Sequence, residues 1–286
     1  MKTPTHLAFI FLACAPLFAA ETPPAKKAGP TPAEIAARPR VGTTIYNWDK
    51  LAVRPSAVGL RRDIAENPTA TLEVFESHIS TLNVGNASHP PHQHPQEEII
   101  IVKEGQLEVH INGKTTPAGP GSVLFYATND MHNVRNIGTA PATYWVVNLA
   151  SEATHTPALH RKDPAIHSQV FNWEKLTETP TPLGSRRNVL SGSTVTLKSL
   201  SVHVTTIKAG ATNHEPHRHP DEELVILKEG TLDINLDGRK ERVGAGSMFF
   251  FGSNDRHNMT NVGTTPATFY VIRMITAKTP AALARN

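Results

Sequence analysis

The sequence predicts an all-β chain made of two copies of one sandwich- or barrel-like domain. Three observations carry that expectation: an ungapped internal repeat, strand-like segments at short regular spacing in each copy, and no long amphipathic helix in either. The repeat comes first, because a duplicated unit fixes the number of domains before any motif is read. Asn47-Trp48 recurs as Asn172-Trp173, Arg61-Arg62 as Arg186-Arg187, His78 as His203 and Gly85 as Gly210. His89-x-Pro91-His92-x-His94-Pro95 recurs as His214-x-Pro216-His217-x-His219-Pro220, Glu97-Glu98 as Glu222-Glu223, and His132-Asn133 as His257-Asn258. Every pair is separated by 125 positions. A register held over a whole domain length is a domain duplication, and two copies at this period do not make a solenoid.

The copies span residues 44–150 and 169–277, each long enough to bury a core of its own. In the first, residues 71–84, 97–103, 105–112, 122–126, 132–136 and 143–149 read as strands, rich in Val, Ile, Phe, Thr and Tyr. Gly, Pro, Asn and Asp punctuate them, a spacing that indicates a sandwich or barrel. Asn112-Gly113 and Asp237-Gly238 predict tight hairpins, because both residue types tolerate positive φ. Residues 21–43, rich in Pro, Ala and Lys, read as a loosely docked arm, 151–168 as a linker and 278–286 as a tail.

The first twenty residues read as a general export signal: Lys2, an apolar run over 7–18, then Ala19-Ala20 for cleavage. That run is too short to span a membrane, and no later segment is long enough. The protein is therefore expected outside the cytoplasm, periplasmic or secreted, with lipid anchoring through Cys14 as a minor alternative. Cys14 is the only cysteine, so cleavage after Ala19 or Ala20 leaves no thiolate for a disulfide or a metal. The formal charge of +3 comes with no run of Lys or Arg, which gives no case for nucleic acid. The expected partner is a small molecule, and the chain is either a monomer, as an internal pseudo-dimer, or a homo-oligomer.

Alternate residues of a strand share a face, so the imidazoles of His92 and His94 point the same way. Glu98 keeps that parity, whereas Glu97 has the opposite one and is expected to point away. His132, from a later strand, can close the site from across the barrel. The second copy offers His217, His219, Glu223 and His257, with Glu222 as the neighbour that points away. Three imidazoles and one carboxylate suit a divalent transition metal (Cu, Zn, Fe, Mn, Ni or Co), two per chain. Four protein ligands leave room for a small oxygenated ligand. For a chain that folds after export, affinity is expected to favour copper or zinc over manganese.

These residues resemble the two cupin motifs. His92, His94, Glu98 and Gly105 follow the first, as do His217, His219, Glu223 and Gly230. Gly121, His132 and Asn136 follow the second, as do Gly246, His257 and Asn261. The second motif's proline is replaced by Ala127 and Gly252, and the glycine before the first histidine sits one residue early at Gly85 and Gly210. Neither departure touches a ligand position. The resemblance implies two tandem jelly-roll barrels in a pseudo-symmetric bicupin, with the eight histidine and glutamate positions as metal ligands. It also implies a metal-dependent enzyme, preferentially a dioxygenase-like oxidoreductase, with Glu98 and Glu223 serving as bases. The alternatives are a non-catalytic metal- or ligand-binding cupin, and a sugar isomerase or lyase.

The remaining repeated residues have simpler readings. His89 and His214 are read as polar residues of a proline-rich loop at the site mouth, with substrate contact or proton shuttling as the alternative. His78 and His203 lie in a strand opposite an apolar series, facing either the pocket or solvent. Arg61-Arg62 and Arg186-Arg187 precede the first long strand and are read as surface or inter-domain pairs, with binding of a substrate carboxylate as the alternative. Trp48 and Trp173 are read as buried anchors for the segment entering each barrel.

Overall fold

The structure, a computed structural model, describes residues 30–283; the proposed leader with Cys14, residues 21–29 of the arm and residues 284–286 of the tail lie outside the described residues. Among the described residues no helix is long and apolar enough to cross a membrane.

Each repeat folds into a seven-stranded and a three-stranded antiparallel sheet, which together make a jelly-roll barrel. In the first, the large sheet runs Val123–Tyr126, Glu97–Glu104, Ala142–Ala150, Val74–Leu82, Gly59–Asn67 and Arg54–Ser56. The small sheet is Lys114–Ala118, Leu107–Ile111 and His132–Asn136. The second repeat matches it strand for strand, with Met248–Phe251, Glu222–Glu229 and Ala267–Ile275 at the centre of its large sheet. Asn112-Gly113 and Asp237-Gly238 make the expected hairpins, with φ of 47° and 80° in one and 48° and 91° in the other. The arm carries a short helix, Pro32–Ala36, whose Ile35 is buried against Val74 and Ala150.

The seventh strand of each large sheet comes from the other repeat. Thr44–Tyr46, at the head of the first copy, pairs with Met248–Phe251, and Gln169–Phe171, at the head of the second, pairs with Val123–Tyr126. The tryptophan that follows each exchanged strand locks it in place. A Cβ on Gly246 would lie 2.5 Å from the Trp48 ring, and one on Gly121 would lie 2.6 Å from Trp173. The Trp48 and Trp173 amides donate to the hydroxyls of Ser247 (3.0 Å) and Ser122 (3.2 Å). The tryptophans therefore bridge the two repeats: each packs on its neighbour's glycine and serine, with Arg62 and Lys103 of its own repeat over the Trp48 ring and Arg187 and Lys228 over Trp173, and both remain partly exposed.

The apolar residues divide into three main cores. Ile100, Val102, Leu124, Tyr144 and Val146 fill the first barrel with Leu107, Val109 and Val134 of the small sheet. Val225, Leu227, Phe249, Phe251 and Phe269 do the same in the second. The third and largest lies between barrels, where Phe75, Ile79, Ile99, Ile101 and Trp145 meet Leu200, Val202, Leu224, Ile226 and Phe250. Central strands buried on both faces read as continuous apolar runs, and Glu97–Val102 is buried at every position.

Two sequence expectations change. Arg61-Arg62 and Arg186-Arg187 do not precede the first long strand; they lie inside the nine-residue strands Gly59–Asn67 and Gly184–Gly192. Those strands mix charged and small polar residues with few apolar ones, so alternation does not mark them. His92-Gln93-His94 is an extended segment outside the regular strands, tied to the barrel by the isolated bridge His92↔His132. His217↔His257 is its counterpart.

Candidate metal centres

Two chain segments build each centre. The loop carrying His92 and His94 exchanges backbone hydrogen bonds with the strand carrying His132: His92 N–H donates to the His132 carbonyl (3.1 Å), and His132 N–H donates back (2.9 Å). This brings the three rings into a triangle with centroid separations of 5.1, 4.7 and 4.9 Å. His217, His219 and His257 repeat it at 5.3, 4.9 and 5.1 Å. In each triad one donor atom per residue lies within 4.8 Å of the others. The third histidine is held by an aromatic stack that the sequence reading missed: Tyr126 on His132 (4.2 Å, 15°) and Phe251 on His257 (4.0 Å, 6°). Position 126/251 shares its strand face with Leu124 and Phe249, so parity was the signal available.

Glu98 and Glu223 turn inward beside these rings. Glu98 Oε2 lies 3.2 Å from His94 Nε2 and 3.8 Å from His132 Nε2. The matching distances from Glu223 are 3.3 Å to His219 and 3.8 Å to His257. Glu97 and Glu222 turn the other way, into the inter-barrel core. Glu97 accepts from Thr194 Oγ1 (2.6 Å) and the Thr196 amide (3.1 Å) of the second repeat. Glu222 accepts from Thr69 Oγ1 (2.7 Å), Thr71 Oγ1 (2.6 Å) and the Ala70 amide (3.0 Å) of the first. Adjacent glutamates on one strand thus serve two tasks, set by the period-2 alternation.

Nitrogen positions suit a metal. His94, His132 and His257 each place Nδ1 within 2.7–3.1 Å of a backbone carbonyl, which selects the Nδ1–H tautomer and leaves Nε2 as a lone-pair donor; His219 Nδ1 donates to the Asp221 carbonyl (2.8 Å), so its Nε2 becomes the lone-pair donor once the ring is neutral. The Nε2 atoms of His132, His219 and His257 are buried without a hydrogen-bond partner, a costly state that coordination would relieve. Burial, then the neighbouring imidazoles, push His92 and His217 down to about 4, so both are neutral at pH 7. Burial also opposes charge on His219, but Asp221 and Glu223 outweigh it and hold the ring up at about 9. Burial raises Glu98, yet hydrogen bonds and charge from His132 and His94 outweigh it and keep the carboxyl near 2.

The second centre opens onto a cavity of about 470 Å³ lined by His217, His219, Glu223, His203, Arg186 and Arg273, among others, and by apolar Phe269 and Val271. His203 therefore faces the cavity, and burial with the nearby Arg186 charge pushes it down to about 4. In the first barrel His78 bonds Glu76 through Nδ1 (2.7 Å). His89 and His214 pack edge-on against the first histidine of each triad, at 3.8 and 3.9 Å.

Comparison with known proteins follows this geometry. A family model described as the cupin domain matches residues 78–148 and 203–273, one in each repeat. Over 116 residues the chain is 36% identical to the L-ectoine synthase of Rhodococcus erythropolis, covering 40% of this chain and 73% of that protein. Among solved structures, protein Ylba from E. coli superposes with a TM-score of 0.67 at 13% identity, covering 88% of this chain and 99% of that one. Bacillus subtilis oxalate decarboxylase, a protein with Mn(II) centres, superposes with a TM-score of 0.60 at 14% identity, covering 86% and 80%. At these identities the two structures share a fold with this chain.

Proposed function

The chain belongs to the cupin family, with two cupin domains, and from that premise we propose that it is an exported metal-dependent enzyme, a dioxygenase-like oxidoreductase acting on a small oxygenated substrate. One observation carries this reading: in each barrel three imidazoles converge beside an ionised carboxylate, with the Nε2 of the third histidine, His132 or His257, buried and without a hydrogen-bond partner. His92, His94, His132 and Glu98 would hold one divalent ion, and His217, His219, His257 and Glu223 the other. When bound, such an ion supplies Lewis-acid polarisation of a substrate oxygen.

The protein's own contribution is positional and electrostatic. Backbone carbonyls fix the histidine tautomers, and Tyr126 and Phe251 fix the third ring. Glu98 and Glu223, each held in its ionised form beside the histidine rings, would bind the ion and, on partly releasing it, accept a proton from substrate. In the second barrel Phe269 and Val271 wall the cavity with apolar surface that excludes water. A divalent metal at these positions is supported by the Mn(II) centres of oxalate decarboxylase, whose substrate is a small, oxygen-rich molecule. Export rests on residues 1–20 alone, and N-terminal sequencing of the mature protein, beginning after Ala19 or Ala20, tests it.

The test of function is oxygen uptake by metal-loaded protein with a panel of small hydroxy acids, keto acids, phenols and sugars. Substrate-dependent uptake that is lost on chelation supports the reading. Turnover without oxygen consumption would replace it with an isomerase or lyase, and saturable binding without turnover with a ligand-binding cupin.

A further inference from the structure

The two barrels carry the same four candidate ligands but not the same charge around them. Each large sheet presents an arginine from matching strands, Arg61 of Gly59–Asn67 in the first barrel and Arg186 of Gly184–Gly192 in the second. Arg61 is saturated: its guanidinium lies 2.6 Å from Asp63 and 3.1 Å from Glu76. Glu76 is further engaged by His78 (2.7 Å) and by Asn148 (2.7 Å). In the second barrel both carboxylates are gone, since the positions of Asp63 and Glu76 are taken by Asn188 and Ser201. Arg186 donates to Asn188 Oδ1 (2.9 Å), and among the described residues it makes no ion pair. It lines the cavity beside His217, His219 and Glu223. A second cation, Arg273, takes the place of Asn148 and is paired with Asp221. Arg186 is exposed at the edge of the cavity it lines, and a guanidinium there with no carboxylate of its own is free to hold an anion's charge.

We propose that the second-barrel cavity binds a small organic carboxylate, its charge held by Arg186 and its hydrocarbon part against Phe269 and Val271, and that the first barrel does not. This deepens the reading of the second centre as a substrate site by naming the substrate class, and it makes the two centres unequal despite their identical ligand sets. Glu76 is the discriminating residue: it places a carboxylate where an anionic ligand's own would go.

The test is calorimetric titration of propionate, with propionamide as its neutral isostere, into metal-loaded full-length protein whose metal content is measured in every sample. One propionate per chain is expected, with propionamide bound at least tenfold more weakly. Arg186→Gln should weaken propionate roughly 10- to 100-fold, as expected for a lost hydrogen bond to a charged group. Ser201→Glu, which transplants the first barrel's carboxylate without removing any contact, should do the same. The reciprocal Asp63→Asn/Glu76→Ser variant should raise the stoichiometry towards two. Equal binding of propionamide, or propionate binding unchanged in both Arg186→Gln and Ser201→Glu at full metal content, overturns the proposal. Protein that takes up no metal yet binds propionate through Arg186 would overturn the metal reading and leave this one standing.

Discussion

Replacing Glu222 with alanine tests the division of labour between adjacent glutamates. Its carboxylate lies in the inter-barrel core and accepts from Thr69 Oγ1, Thr71 Oγ1 and the Ala70 amide. Three bonds to a charged acceptor would be worth about 4–9 kcal/mol at roughly 1.5–3 kcal/mol each, before the cost of burying the charge. Burial is the main influence on this group and raises its pKa, so that cost is real and offsets part of the gain. The net loss on Glu222→Ala is expected at about 3–5 kcal/mol, the range for breaking a buried charged contact and stranding its partners. Glu222→Gln keeps the shape, with a carbonyl for Ala70 and an amide for the threonines, and should cost about 1 kcal/mol near neutral pH. The sign of its pH dependence follows from the raised pKa. Burial penalises the ionised form, so wild-type stability falls as pH climbs from the ordinary carboxyl value of 4.5 through the folded one, while the glutamine variant is spared. Glu222→Gln therefore compares best with wild type at higher pH. Urea unfolding across pH 4–8, with elemental analysis of each sample, reads both quantities. A Glu222→Ala variant within 1 kcal/mol of wild type, or a Glu222→Gln variant that loses metal, would refute the reasoning.

Three further outcomes are expected. Glu98→Gln and Glu223→Gln should each lower bound metal while Glu97→Gln leaves it unchanged, as measured by elemental analysis after dialysis. Metal uptake at the second centre should strengthen as pH rises from 7 to about 9, with one proton released per ion, because His219 must shed the proton that Asp221 and Glu223 hold on it; Asp221→Asn should flatten this dependence in a potentiometric titration. Gly246→Ala places a methyl 2.5 Å from the Trp48 ring at a residue with φ of +96°, so it should destabilise by about 2 kcal/mol or more. Part of that cost should vanish in a Trp48→Ala background, giving a coupling of about 1–3 kcal/mol in a double-mutant cycle by urea unfolding.

Much of the site was legible because duplication and parity are both local in sequence. The 125-residue offset paired His92 with His217 and His132 with His257, and strand alternation separated Glu98 from Glu97 without any tertiary information. The same alternation could not say that the outward face of those strands meets another barrel. Ile99 and Ile101 look alike whether they fill a barrel or join two, and the distinction is carried by partners over a hundred residues away. Ownership of Thr44–Tyr46 and Gln169–Phe171 was hidden for a related reason: a three-residue strand carries no signature of its sheet, which is fixed by tertiary pairing and by the tryptophan contacts with Gly246, Ser247, Gly121 and Ser122. The strands Gly59–Asn67 and Gly184–Gly192 were missed because charged and small polar residues leave them too few apolar positions to show alternation. The difference between the cavities was present as Glu76 against Ser201, but it acquires meaning only once Arg61 and Arg186 are seen to occupy matching places.

The most direct measurement is the metal-to-chain ratio of protein purified without chelators, compared with the His94→Ala, His219→Ala and doubly substituted chains. Two complete ligand sets predict a ratio near two, near one in each single variant, and near zero in the double. A wild-type ratio near zero, or a single variant that already holds no metal, would contradict the claim that each barrel builds its own metal centre.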